Sequence, residues 1–230
     1  MASSFPTSLD TFTNPTSADA LDSVSVPHAT QHSELNDAVE ALEAKVGADG
    51  SAVTSSHDYK IAQLEAEQSL VRITSATFTT SSAVAFASGV FTSTYDNFRV
   101  VFEFVPSANC TLACQVNVSG SAQTANSYFG NRYDLRAGSV VAANPGTSHS
   151  IMGANGSTPA HNSFSIDVIK PADATVRTSW HGTWYGANAA GSFDGGVTAA
   201  EYNVVEAHDG LTLTPSTGTI TGKYTVYGYV

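Results

Sequence analysis

The chain has 230 residues, enough for one sizeable domain and an extension; 42% are hydrophobic and only 13% charged, about half the charged share of an average globular protein. The formal net charge is −11, unevenly placed: residues 1–73 hold 11 acids and 3 bases, a net of −8, and residues 74–230 hold 9 and 6, a net of −3. An acidic balance with no Lys/Arg run argues against nucleic acid or an anionic membrane as partner. No apolar run approaches the roughly eighteen residues of a membrane span, and the N-terminal stretch lacks the basic and apolar regions of a secretory signal.

Residues 1–30 read as an extended arm. They are rich in Ser, Thr, Asp and Pro, and Pro6, Pro15 and Pro27 block long regular elements. Phe5 and Phe12 are poor choices for a solvated tail, and the arm's attachment residues are read as Phe5, Leu9, Phe12, Pro15 and Leu21. They are expected to dock on a partner and order on binding.

Residues 31–73 read as a helical neck. Leu35, Val39, Leu42 and Val46 are spaced four, three and four apart, and Ile61, Leu64, Gln68 and Val71 three, four and three. Such spacing puts a narrow apolar stripe on a helix, the pattern of a coiled-coil seam. Each stripe covers about two heptads, too little for a stable isolated helix. Identical copies are therefore expected to cover it, as a homo-oligomer. Thr30 is the expected N-cap of the first helix and Gly47 its C′ residue. Residues 47–56 read as a hinge, Ser55 and Asp58 as a capping box, and the second helix as ending near Arg72. Gln68 interrupts the stripe, where an amide can specify register and oligomer number. Continuing the first heptad backwards from Leu35 reaches His32, where three copies on a three-fold axis have the means to hold an anion or a metal; an exposed first-turn histidine is the simpler expectation.

Phe12–Thr16, Val26–His32, Leu35–Gly47 and Asp58–Ile61, in this order and spacing, resemble the N-terminal region of tailed-bacteriophage fibre and minor structural proteins. The resemblance implies a virion-attachment segment that binds another virion protein, followed by a short trimeric coiled-coil neck. It also implies a place on the surface of the phage particle, on a tail or a head appendage.

From Ile73 the apolar period shortens to two. Phe98, Val100, Phe102 and Phe104 alternate, as do Phe164, Ile166 and Val168. Val176, Thr178, Trp180 and Trp184 share a face, as do Leu112, Cys114, Val116 and Val118, and Ile220, Tyr224 and Val226. Turn signals fall at 106–109, 142–146, 153–159, 186–196 and 208–210. Residues 74–230 are thus expected to form a mainly β head, an antiparallel, jelly-roll-like β-sandwich with its last strand inserted in the sheet. Cys110 and Cys114, four apart on one strand, lie beyond disulfide reach and read as free, buried thiols.

No phosphate loop, nucleophile elbow or calcium loop is present, so no cofactor or catalytic residue is assigned. The seven histidines read as containing no ligand pair on one strand or helix, which argues against a zinc enzyme. Glycan cleavage needs two carboxylates roughly 5–10 Å apart, and nothing in the spacing pairs any two. Glycan binding needs less: an exposed aromatic with amide and carboxylate partners. His181, Tyr185, Asn188 and Asp194 are the candidates, while Trp180 and Trp184 read as core. The expectation is a non-enzymatic fibre protein with a host-glycan-binding head; a capsid-decorating protein and a glycan-degrading enzyme are the alternatives.

Overall fold

A computed structural model describes residues 18, 20, 24, 28–66, 69–136, 138–155, 161–188 and 190–230. The expected docking residues Phe5, Leu9, Phe12, Pro15 and Leu21, and the seam residue Gln68, lie outside these. The chain divides into two compact units, Met1–Gln68 and Ser69–Val230.

The first unit holds two helices, α1 (His28–Val46) and α2 (His57–Ala66). Helix α1 starts earlier than expected, and Thr30 lies inside it rather than capping it. The stretch between Pro27 and Gln31 contains Ala29, the strongest helix former, and no breaker. Gly47 ends α1 with φ +87° and donates its amide to Glu43 O at 2.8 Å, as a C′ glycine does. The expected hinge is a bonded turn. Ser51 N donates to Asp58 Oδ2 at 2.9 Å, and fully buried Ser56 donates to Val53 O at 2.8 Å. Ser56, not Ser55, caps α2, its Oγ accepting from Tyr59 N at 3.2 Å. The capping box fails because the helix starts one residue later, so Asp58 reaches back to Ser51. Among the described residues, neither helix buries a side chain, and no helix is long and apolar enough to cross a membrane.

Val71 is not on a helix. It belongs to β1 (Leu70–Ser81), where Leu70 and Val71 pair with Tyr229 and Gly228. Its fit to the heptad is coincidental, because the β-branched residues Val71, Ile73 and Thr74 find an antiparallel partner in the last strand.

The second unit is mainly β, built from two antiparallel sheets. The larger contains, in spatial order, β1, β13 (Ile220–Tyr229), β3 (Asn97–Pro106), β9 (Asn162–Ile169), β10 (Arg177–Ala187), β11 (Phe193–Val205), β6 (Tyr128–Asp134) and β7 (Ser139–Gly146). The smaller contains β2 (Val84–Ala85), β12 (Gly210–Pro215), β4 (Cys110–Val118) and β5 (Ser121–Ala122), with β8 (His149–Asn155) also on β4. The C-terminal strand lies between β1 and β3, inserted as expected. Ser119 (φ +49°) and Gly120 (φ +73°) make the two-residue connection from β4 to β5, both left-handed as a type I′ hairpin requires.

Period-2 alternation places the core. Phe98, Val100, Phe102 and Phe104 of β3 are buried, as are Phe164, Ile166 and Val168 of β9 and Trp180 and Trp184 of β10. The smaller sheet adds Leu112, Cys114, Val116, Leu211, Leu213, Ile151 and Met152 to the same hydrophobic cluster. Phe102 stacks on Phe164 (5.2 Å between centroids) and on Phe78 (5.0 Å). Phe78 reaches it from β1 across β13, where its register partner Gly222 has no side chain. A Cβ on Gly222 would stand 1.9 Å from Glu103 O, closer than any real contact. Tyr128 ties the sheets together: its hydroxyl accepts from Val116 N at 3.0 Å and donates to Gln123 O at 2.8 Å. Cys110 and Cys114 are free and buried, and burial pushes the Cys114 thiol up to about 12.

Three local expectations fail. Residues 142–146, read as a turn, lie in β7; this strand is at the edge of its sheet, where Pro145 costs no ladder bond on the open side. Residues 153–155 of the expected 153–159 turn lie in β8, and residues 156–159 lie outside the described residues. Val176, read as sharing the Trp180 face, precedes β10 and is exposed. There Asp173 Oδ1 accepts from Thr175 N (2.8 Å) and Oγ1 (2.6 Å), a local turn that ends the alternation.

Candidate binding surface

The outward face of the larger sheet carries the candidate site. In β10, Trp180 and Trp184 point inward while His181, Thr183 and Tyr185 are exposed. Gly196, opposite Trp184, makes room for the indole, since a Cβ there would meet Trp184 Nε1 at 2.7 Å.

The four expected glycan contacts fall in two places. Tyr185 stacks on Phe193, ring centroids 6.4 Å apart and planes 24° apart, and Phe193 is 74% exposed. Beside them, Asn188 and Asp194 already serve the loop. Asn188 Oδ1 accepts from Ala190 N (3.0 Å) and Ser192 N (3.1 Å), and Asp194 Oδ1 accepts from Gly195 N at 2.8 Å. These two side chains shape the turn that presents Phe193. His181 lies four residues down the strand from Tyr185, about 13 Å away at the usual rise.

His181 instead borders a shallow depression across β10, β11 and β6. The row His181, Ala199, Asn131 is in register, and Ala199 leaves the floor low between two larger side chains. Toward one side lie Phe129, Ser179 and Glu201, in a space of about 480 Å³; toward the other lie Tyr133, Thr183, Val197 and Val140. Asn131, Tyr133 and Val197 escape a reading from sequence. Their only signal is outward parity on β6 and β11, whose windows have no long alternation.

Next to His181 across β9 stands Asp167. It takes a two-pronged bond from Arg99 (Nε 2.8 Å, Nη2 2.9 Å) and one from the Tyr229 hydroxyl at 2.5 Å. Burial pulls the Asp167 carboxyl up, but the bonds from Arg99 and Tyr229 outweigh it and hold it below its ordinary value.

Two imidazole–hydroxyl pairs have the form of catalytic pairs but sit in the core. His149 Nε2 lies 2.7 Å from Thr198 Oγ1, and His208 Nδ1 lies 2.7 Å from Thr178 Oγ1, with Glu206 3.5 Å from His208 Nε2. All four partners of the short bonds are buried, so neither hydroxyl meets a substrate in this conformation. Burial lowers both imidazoles; His149, beside the Arg132 guanidinium, falls to about 4, and nearby Glu206 only partly offsets the effect on His208.

The helical seam residues Leu35, Val39, Leu42, Val46, Ile61 and Leu64 are all exposed in the single chain, from 44% for Val39 to 64% for Leu64. Because α1 begins at His28, His28 and His32 share a helix face, a pairing absent from the sequence reading. Among the described residues no group of three His, Cys, Asp or Glu is placed to hold a metal. Comparison of the sequence with protein-family models and with curated proteins finds no match.

Proposed function

We propose that the protein is a bacteriophage virion structural protein: a trimeric fibre held to the particle by its N-terminal arm, with a jelly-roll-like β-sandwich head displayed for host-glycan binding. The observation that carries this reading is the seam. Six apolar side chains repeat at coiled-coil spacing on two helices that bury nothing of their own. An amphipathic helix of this length draws its stability from packing, not propensity, so the stripe calls for an external partner, and identical copies supply a matching stripe. The resemblance of residues 12–61 to phage fibre and minor structural proteins supports the same reading. For the head, two sheets around one core favour a sandwich, and the outer face, with an exposed aromatic pair and a depression bordered by Asn131 and His181, suits a sugar's apolar face and hydroxyl rim.

Sedimentation of the full chain tests the proposal. A trimer at micromolar concentration is expected, converted to monomer by Leu42→Asp; a monomeric wild type overturns the fibre reading. Antibody against the head is expected to block adsorption of phage to host cells. Particles that carry the protein yet adsorb unhindered point instead to a capsid-decorating role.

A further inference from the structure

We infer that His28 and His32 form a two-imidazole chelate for a divalent first-row transition-metal ion of the nickel or copper class, at the start of the helical seam. Helix α1 sets the two residues one turn apart, on one face. Their Nε2 atoms lie 3.0 Å apart, with ring centroids at 4.3 Å and planes at 85°. Both side chains are exposed, so an ion displaces water and the hydrogen bond between the two rings.

Nitrogen donors favour the late first-row ions: at a given nitrogen site affinity rises through nickel to copper. Imidazole nitrogens bind such ions at roughly 2.0–2.1 Å. Two nitrogens 3.0 Å apart at that bond length subtend about 90°, the angle between neighbouring positions of a square-planar or octahedral ion. In the free chain one ring carries its proton on Nε2 and shares it with the other. Moving that proton to Nδ1 of the same ring leaves two Nε2 lone pairs for the ion, and neutral imidazole allows either tautomer. The positive end of the helix opposes a cation here. The net charge of −8 on residues 1–73 favours one.

No third side-chain ligand joins the pair among the described residues, which leaves the other positions to water or to further copies. His28, His32, Leu35, Val39, Leu42 and Val46 are spaced four, three, four, three and four, so both histidines continue the seam. Where three chains associate, three such pairs meet at its end. That last step rests on the trimer proposed above; the chelate within one chain does not.

The test is calorimetric titration of Ni²⁺ into the full chain, comparing wild type with His28→Ala and His32→Ala. Losing one arm of a chelate removes the intramolecular advantage, so each variant is expected to weaken the tightest site by about 10²-fold. His57, His161 and His181 are also exposed, and supply a single-imidazole background common to all three proteins. A titration unchanged in either histidine variant overturns the inference, provided circular dichroism shows wild-type helicity. Leu42→Asp separates the two proposals. A monomer that still binds one ion per chain keeps the chelate, whether or not the wild type sediments as a trimer.

Discussion

His149 Nε2 lies 2.7 Å from Thr198 Oγ1, deep between β8 and β11, and its Nδ1 has no partner among the described residues. Burial disfavours the charged ring, and the Arg132 guanidinium nearby adds to the effect, so the site accepts only a neutral imidazole. The folded value of about 4 is below the ordinary 6.5. The stabilisation is therefore complete above pH 6.5 and lost as the pH falls towards 4, where the unfolded chain takes up a proton that the folded one refuses. The shift corresponds to about 3 kcal/mol at the acid end. Urea unfolding of wild type is expected to lose stability over this range, with His208 contributing in the same direction. His149→Gln, which keeps a hydrogen bond to Thr198 but does not titrate, is expected to show a shallower slope.

Arg132 is an independent lock on β8. Only 6% exposed, it pairs with Asp134 (2.6 Å) and donates to Ser150 Oγ (2.6 Å) and Met152 O (2.8 Å). Replacing Asp134 by Leu strands a buried guanidinium and is expected to cost about 3 kcal/mol, whereas Arg132→Met with Asp134→Leu removes both charges and costs less. Denaturation of the single and double variants reads the difference. A double variant less stable than Asp134→Leu would show that the contacts of Arg132 to Ser150 and Met152, rather than the charge pair, hold the strand.

The turn between the helices makes a third prediction. Ser56→Ala removes the cap on Tyr59 N and is expected to cost about 1 kcal/mol. Gly47→Ala adds a Cβ 2.9 Å from Ser56 Oγ at a position with φ +87°, and is expected to disturb the same turn. Both changes should lower helical ellipticity while the near-ultraviolet signal of the head, from Trp180 and Trp184, is unchanged.

The parts of the fold readable in sequence are those where one face is buried and the other is not. Phe98 to Phe104 alternate strictly because β3 lies mid-sheet with its inner face on the core. Val71 misleads for the opposite reason: where a helix stripe and a strand run adjoin, a single valine satisfies both periods, and only the pairing with β13 decides. Residues 142–146 mislead because an edge strand tolerates the Pro and Gly that elsewhere signal a turn. The outward face is the least readable. Ala199 forms a depression only because His181 and Asn131 flank it across two neighbouring strands, and cross-strand register is not written in local spacing. Asn188 and Asp194 look like free polar groups in sequence, yet Oδ1 of each already accepts from backbone amides. His28 joins the helix because α1 begins before Thr30, the residue that sequence marks as its cap.

That division of the outer face makes the glycan proposal testable at two separate points. Phe193 is 74% exposed and stacks on Tyr185, so Phe193→Ala is expected to change stability by no more than about 0.5 kcal/mol. If a sugar rests on the aromatic pair, the same change weakens binding by about 1 kcal/mol, the scale of a single ring contact. His181→Ala, about 13 Å away, leaves that locus untouched and acts only on a ligand seated over Ala199. Ala199→Phe fills the depression without touching Tyr185. A glycan array probed with the three variants therefore assigns the locus. Loss with Phe193→Ala alone places the sugar on the aromatic pair, and loss with His181→Ala and Ala199→Phe places it in the depression. Glycan binding that survives all three unchanged would remove this face of the sheet from the proposal.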